Sequence, residues 1–211
     1  MEAALERWLM KRTETAEGVG RVVLARIRSG EREAFEDLVE DAWDDLVEHL
    51  TWILGSRDAA EDAGQETFVR LWERREQWHD GSARALVFRI GRNLAFDIRR
   101  REKRFNDWAA TEADVVAVGV DPDDPAEASE CEQRFRRALA SLATGRREVI
   151  ELVRLRGLTH REAAEALGIS QQTVANRITL ALADLRVLLA DVLPQWHAVR
   201  KPQNEPEATD G

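Results

Sequence analysis

The chain has 211 residues, 44% of them apolar, one cysteine and a formal net charge of −9. That length accommodates two small helical domains, each with a core of its own, while a single cysteine excludes an internal disulfide. His49, His79, His160 and His197 share no metal-ligand spacing, and the start of the chain lacks the basic-then-apolar order of an export signal. With no apolar run near the length of a bilayer span, the expectation is a cytoplasmic, metal-free protein with no cofactor and no membrane insertion.

Five prolines, twelve glycines and no tyrosine, beside abundant Ala, Leu, Glu and Arg, predict an all-α protein. Residues 1–18 carry only a brief amphipathic pattern, Leu5, Trp8 and Leu9, and read as an N-terminal arm. A first helical domain is expected over 19–104. Val22, Val23, Ala25 and Ile27 open one helix, and Phe35, Leu38, Val39, Ala42, Leu46, Leu50 and Ile53 continue at 3.6-residue spacing to Gly55. A third helix is predicted from Arg57 to about Trp78, with Ala60, Phe68, Leu71 and Trp72 inward. Asp62, Gln65 and Glu66 fall together on its other face. Taken alone, these three read as a solvated surface.

After a short loop at 78–83 containing Asp80-Gly81, the residues Leu86, Val87, Ile90, Leu94 and Ile98 pattern one face of a long helix. The other face is cationic: Arg84, Arg89, Arg92, Arg99, Arg100, Arg101, Lys103 and Arg104 oppose only Asp97 and Glu102, with Phe88, Asn93 and Phe96 interleaved. A net negative protein argues against nucleic-acid binding, yet charge this segregated reverses the argument. Phosphate, together with unstacked bases, is the ligand such a stripe suits.

Residues 105–128 are acidic, nearly aperiodic and include Asp121-Pro122-Asp123-Asp124-Pro125, so they read as the interdomain linker. A second domain is expected over 129–193. Phe135, Leu139 and Leu142 mark a helix, and Thr144 is expected to cap the next, which runs through Arg156 with Val149, Ile150, Leu152 and Val153 inside. Thr159 and Glu162 then form a capping box, and Gly168 supplies a left-handed helix end. Ser170 caps a longer helix striped by Val174, Ile178, Ala181, Leu182, Leu185 and Leu189. This is a helix-turn-helix, whose second helix presents Gln171, Gln172, Thr173, Asn176 and Arg177 at the end that enters a major groove. An ordinary helical hairpin with a polar face remains the alternative. The tail, 194–211, begins at Pro194 and is expected to be disordered.

In two stretches the chain resembles the extracytoplasmic-function sigma factors of the sigma-70 family. Ala60 to Phe68 with Arg70-Leu71-Trp72, and Phe88 to Asp97 with Arg99-Arg100, are similar to that family's second region. Gly157-Leu158-Thr159, Glu162-Ala163-Ala164, Leu167 to Ser170 and Thr173-Val174 through Arg177 are similar to its fourth. The resemblance implies that Asp62, Gln65 and Glu66 meet the clamp helices of the largest subunit of core RNA polymerase. It implies that helix 84–104, through Arg89, Arg92, Asn93, Arg99 and Arg100, opens the minus-ten element, with Asn93 and the 78–83 loop taking a flipped base. Gln171, Gln172, Thr173, Asn176 and Arg177 would read the minus-thirty-five element. The family usually has bulky residues where this chain has Ala63-Gly64, and tryptophan at Leu86.

The reading is therefore a promoter-recognising polymerase subunit with promoter DNA, core polymerase and an anti-sigma factor as partners. No nucleophile triad, phosphate loop or metal cluster suggests chemistry of its own, so no catalytic residue is expected. A conventional helix-turn-helix regulator is the alternative; it accounts for 134–190 and leaves 57–104 without a role.

Overall fold

The computed structural model describes residues 17–78, 81–107 and 130–190. Residues 1–16 of the expected arm over 1–18, residues 108–128 of the expected linker over 105–128, the tail over 194–211 and the loop residues His79 and Asp80 lie outside the described residues, whereas 17–18 and 105–107 belong to helices rather than to arm and linker. Those described fold as eight α-helices without strands: α1 (Glu17–Arg28), α2 (Arg32–Leu54), α3 (Arg57–Glu73), α4 (Ala83–Asp107), α5 (Glu130–Ser141), α6 (Thr144–Ile150), α7 (His160–Leu167) and α8 (Gln171–Leu188). None of these helices is long and apolar enough to cross a membrane.

Helices α2, α3 and α4 pack against one another, and α1 lies against α2 and α4. Leu38, Ala42, Leu46, Leu50 and Ile53 of α2 meet Ala60, Ala63, Phe68 and Leu71 of α3 and Val87, Leu94 and Ala95 of α4, all buried. Burying each of the larger side chains is worth about 1.5–3 kcal/mol relative to exposure. The close approach of α4 depends on Gly91, where a Cβ would stand 2.9 Å from Leu46 Cδ1 and 3.2 Å from Thr67 Oγ1. Gly64 has the Trp43 ring 3.4 Å from its would-be Cβ. The small Gly64 is thus matched by a large ring from α2.

Three helix boundaries or faces differ from the sequence expectation. The third helix stops at Glu73 and a single 3₁₀ turn, Arg75–Gln77, follows. Thr144 does not cap α6: Ala143 occupies that position and Thr144 is the first helical residue. Phe88, expected among the cations, is fully buried, its ring 5.5 Å from that of His49. The reason is that α4 packs against α1, α2, α3 and α7, so its buried arc is wider than one amphipathic stripe.

In the second half α6 and α7 pack on α8 around Val149, Ile150, Leu152, Leu158, Ala163, Val174, Ile178, Ala181 and Leu185. Thr159 caps α7 in a complete capping box, and Gly168 at φ 66° ends it. Beyond α6 the chain continues as a π-type turn, Glu151–Leu155, in which Arg156 N–H donates to the Glu151 carbonyl at 3.0 Å. Wider winding of this kind shifts the side-chain register by part of a turn. Helix α7 also lies along α4, so the two halves of the molecule touch.

Candidate nucleic-acid interface

Helix α3 starts at Ser56, whose hydroxyl accepts from Ala59 N–H at 3.4 Å. Its buried positions, Ala60, Ala63, Gly64, Thr67, Phe68 and Leu71, face the core. Asp62, Gln65 and Glu66 therefore emerge together on the opposite, exposed side. Arg70 donates to Glu66 Oε1 at 2.6 Å, an exposed pair worth at most about 0.5 kcal/mol.

Along α4 the cationic residues divide between two surfaces. Arg89, Asn93 and Arg100 are exposed and recur at helical spacing. The Arg89 guanidinium lies 5.6 Å from the centre of the Trp78 ring. Arg100 bonds to Asp97, and that hydrogen bond, reinforced by neighbouring arginines, keeps the Asp97 carboxyl below its ordinary range. Arg92 and Arg99 are only half-exposed. Arg92 stacks over Phe96 at 4.7 Å and donates from Nε to Glu148 Oε1 at 2.9 Å.

At the tip of α8 the Ser170 hydroxyl accepts from Thr173 N–H at 3.1 Å. That cap satisfies one of the helix's orphan donors and fixes which side chains project. Gln171, Gln172 and Asn176 are exposed and Thr173 is half-buried. Gln172 Nε2 donates to Asn176 Oδ1 at 3.0 Å, so these two amides form one polar surface. Arg177 is half-buried with its guanidinium packed over Gly145 of α6, 3.0 Å from where a Cβ would stand. Amides and hydroxyls at a helix start match base edges in a major groove.

The contact between the halves contains residues that sequence reasoning missed. Ser82, just ahead of α4, donates its hydroxyl to Glu162 Oε1 at 2.6 Å and its backbone N–H to Glu165 Oε2 at 3.0 Å. Gly81, at φ 100°, lies so close to Glu165 that a Cβ would fall 2.7 Å from the carboxylate. Further along, His49 of α2 is fully buried and its Nδ1 bonds to Glu151, which also takes Arg156 Nε at 3.0 Å. Arg156 in turn pairs with Glu48 and approaches Asp45 at 3.7 Å. Burial disfavours the Glu151 anion, but attraction to His49 and Arg156 outweighs it and holds the carboxyl below its usual range. Arg147 lies over Trp52 at 5.3 Å, and desolvation pulls its pKa down. The one sequence signal for any of this is that His49 falls within the apolar stripe of α2.

Among the described residues no cluster of three or more His, Cys, Asp or Glu is arranged to hold a metal ion. Comparison with known proteins supplies a frame for the surfaces. The family model Sigma-70 region 2 matches residues 44–105, and Sigma-70, region 4 matches 132–185. The chain is 34% identical over 182 residues to the RNA polymerase sigma factor CnrH of Cupriavidus metallidurans, across 82% of this chain and 95% of that protein. It is 32% identical over 142 residues to the ECF RNA polymerase sigma factor SigL of Mycobacterium tuberculosis, across 66% and 80%. Among solved structures, CnrH in complex with the cytosolic domain of CnrY superposes with a TM-score of 0.57 at 30% identity, over 82% of this chain and 97% of that one. The sigma factor RpoE in complex with the anti-sigma factor NepR from Bartonella quintana gives 0.58 at 26%, over 74% and 96%.

Proposed function

Since the chain belongs to the extracytoplasmic-function sigma factors of the sigma-70 family, we propose how its surfaces divide the work of an RNA polymerase sigma factor. The domain over 19–104, whose last helix runs on to Asp107, binds core polymerase and opens the minus-ten element; that over 129–193 reads the minus-thirty-five element; the acidic linker that follows Asp107 joins them. Asp62, Gln65 and Glu66 dock on the clamp helices of the largest subunit. Arg89, Arg92, Arg99 and Arg100 take phosphates of the opened strand while Asn93 bonds the edge of an unstacked base. Gln171, Gln172, Thr173, Asn176 and Arg177 enter the upstream major groove. The polymerase supplies the chemistry, so this chain acts without a catalytic residue, in the cytoplasm where the polymerase is. The neighbours' complexes with CnrY and NepR support an anti-sigma factor as a further partner.

The observation that carries the reading is that α3 and α4 pack directly on each other. One folded unit thereby bears an exposed acidic and amide face and an exposed cationic face, as a subunit that bridges protein and DNA requires. The test is capture of core polymerase by the Asp62→Arg, Glu66→Arg double variant. Charge reversal at two contact positions is expected to weaken capture by about thirtyfold or more; wild-type capture by a folded variant refutes the assignment of this face.

A further inference from the structure

We infer that Gln172 and Asn176 act as one unit that selects adenine in the upstream element, with Gln172 reading the base and Asn176 holding its amide in place. This role rests on the assignment of the α8 tip to a major groove in the preceding section, and it names the base chemistry that the tip accepts. Two of the side chains assigned there are engaged within the chain itself. The Thr173 hydroxyl shares a 2.8 Å hydrogen bond with Ser170. Arg177, the only cation from 171 to 185, is half-buried with its guanidinium against Gly145 of α6. Arginine and lysine are the usual bidentate readers of guanine, through O6 and N7, and the tip's one group of that kind leans on a neighbouring helix.

The exposed side chains are all amides: Gln171, Gln172 and Asn176. Gln172 and Asn176 stand four residues apart on one face of the helix, and Gln172 Nε2 donates to Asn176 Oδ1 at 3.0 Å. Gln171 points about 100° away round the helix and takes no part in the pair. The bond to Asn176 decides what Gln172 offers to the groove. An unrestrained glutamine amide turns over and presents oxygen and nitrogen in either order. Here the nitrogen is tied to the Asn176 side, which leaves the second Nε2 hydrogen and the Oε1 lone pairs in a fixed order, donor beside acceptor. Among the four bases adenine alone carries the complement on its own major-groove edge, with N7 accepting and N6–H donating. Guanine would set its O6 against Oε1, acceptor facing acceptor, while cytosine and thymine each satisfy only one half of the amide. Asn176 is thus a positioning residue: it fixes the order in which Gln172 presents its two groups.

Holoenzyme assembled from the full chain and core polymerase provides the test. A duplex library randomised across the promoter is selected with the wild type, and the best sequence is then varied one base pair at a time through its upstream element. The wild type is expected to prefer adenine at one position by about tenfold, as a single bidentate contact supplies. Gln172→Ala is expected to flatten that preference to less than about twofold while preferences at other positions persist. Asn176→Asp keeps an acceptor for Gln172 Nε2, so it should retain the adenine preference even though its added negative charge weakens binding to every sequence. Asn176→Leu removes the acceptor and should reduce the preference to about threefold. A merely structural contribution of either residue to α8 would lower affinity for all sequences alike and move no base preference. Unchanged discrimination in Gln172→Ala overturns the inference, and so does a Gln172-dependent preference for another base or loss of the preference in Asn176→Asp. A wild type without any upstream preference would overturn the assignment of the α8 tip itself, and this role with it, so the two failures are told apart.

Discussion

The two surfaces assigned to DNA are held in opposite ways. The tip of α8 is fixed only from within, by Ser170 and by the Gln172–Asn176 bond, and nothing from the first half touches it in the hydrogen bonds described. The segment ahead of α4 is gripped from outside, by Glu162 and Glu165. These acids belong to α7, the helix that leads directly into α8. The difference teaches that one short element has two roles in the packing: α7 supports α8 and at the same time holds the segment ahead of α4, so a change in α7 reaches both surfaces.

The largest effect on that comparison is expected at Glu151, which is fully buried and serves two partners, His49 and Arg156, from opposite sides of the contact. Removing one member of such a network leaves uncompensated buried charge and costs about 3–5 kcal/mol. Glu151→Ala is expected to lower the unfolding free energy, measured by denaturant titration, by that amount at neutral pH. Acid supplies the second arm of the test. The folded carboxyl is held below its ordinary value, so its contribution is complete above the unfolded pKa of about 4.3 and is lost as pH falls through the lower folded value. Asp45 and Glu48, which face Arg156, and His49 itself surround Glu151, and Glu148, Glu162 and Glu165 lie elsewhere along the contact. The wild type should lose stability steeply below pH about 4, and Glu151→Ala should lose less over the same range. Parallel curves for the two proteins would remove Glu151 from its place as the keystone of the contact.

What the sequence disclosed follows the same division. The capping box, Gly168, Ser170 and the stripe of α8 are local signals, and each appears where its chemistry calls for it. Exposure of Asp62, Gln65 and Glu66 was likewise legible, since three polar residues at helical spacing opposite an apolar stripe have nowhere else to point. The grip on Ser82 was not: Glu162 looks complete as a capping residue, and its second oxygen finds Ser82 only because the chain returns 80 residues later. His49 and Glu151 are 102 residues apart, with no pattern linking them. Phe88 was misplaced because a helix with neighbours on several sides has a buried arc that periodicity alone underestimates. The π-type turn at Glu151–Leu155, which brings Glu151 to His49, has an apolar pattern that reads equally well as an unbroken helix.

A medium effect is expected at Gly91, and it separates the halves from the other direction. A methyl group there meets Leu46 Cδ1 at 2.9 Å within a close-packed three-helix core. Overpacking of this kind costs about 1–3 kcal/mol. Because the strain lies between α2, α3 and α4, Gly91→Ala should lower the protection of amides in those helices against hydrogen exchange while protection in α8 changes by less. An equal loss in both halves would mean that the contact between them unfolds cooperatively with the core.

The smallest effect belongs to the open site. Ser170 accepts from Thr173 N–H at 3.1 Å and also shares a hydrogen bond of 2.8 Å with the Thr173 hydroxyl. Loss of such a cap costs about 1 kcal/mol, and the position is exposed, with no partner in the first half among the contacts described. Ser170→Ala should therefore fray the first turn of α8, where Gln171, Gln172 and Thr173 sit, without altering the distance between the halves. Binding of the holoenzyme to the upstream element should weaken by about fivefold, in line with 1 kcal/mol, while single-stranded DNA binding by the free chain stays at its wild-type value. If both fall together, the two DNA surfaces are coupled through α7 and α8; if only the first falls, the tip of α8 is an independent reading head whose geometry depends on its own cap.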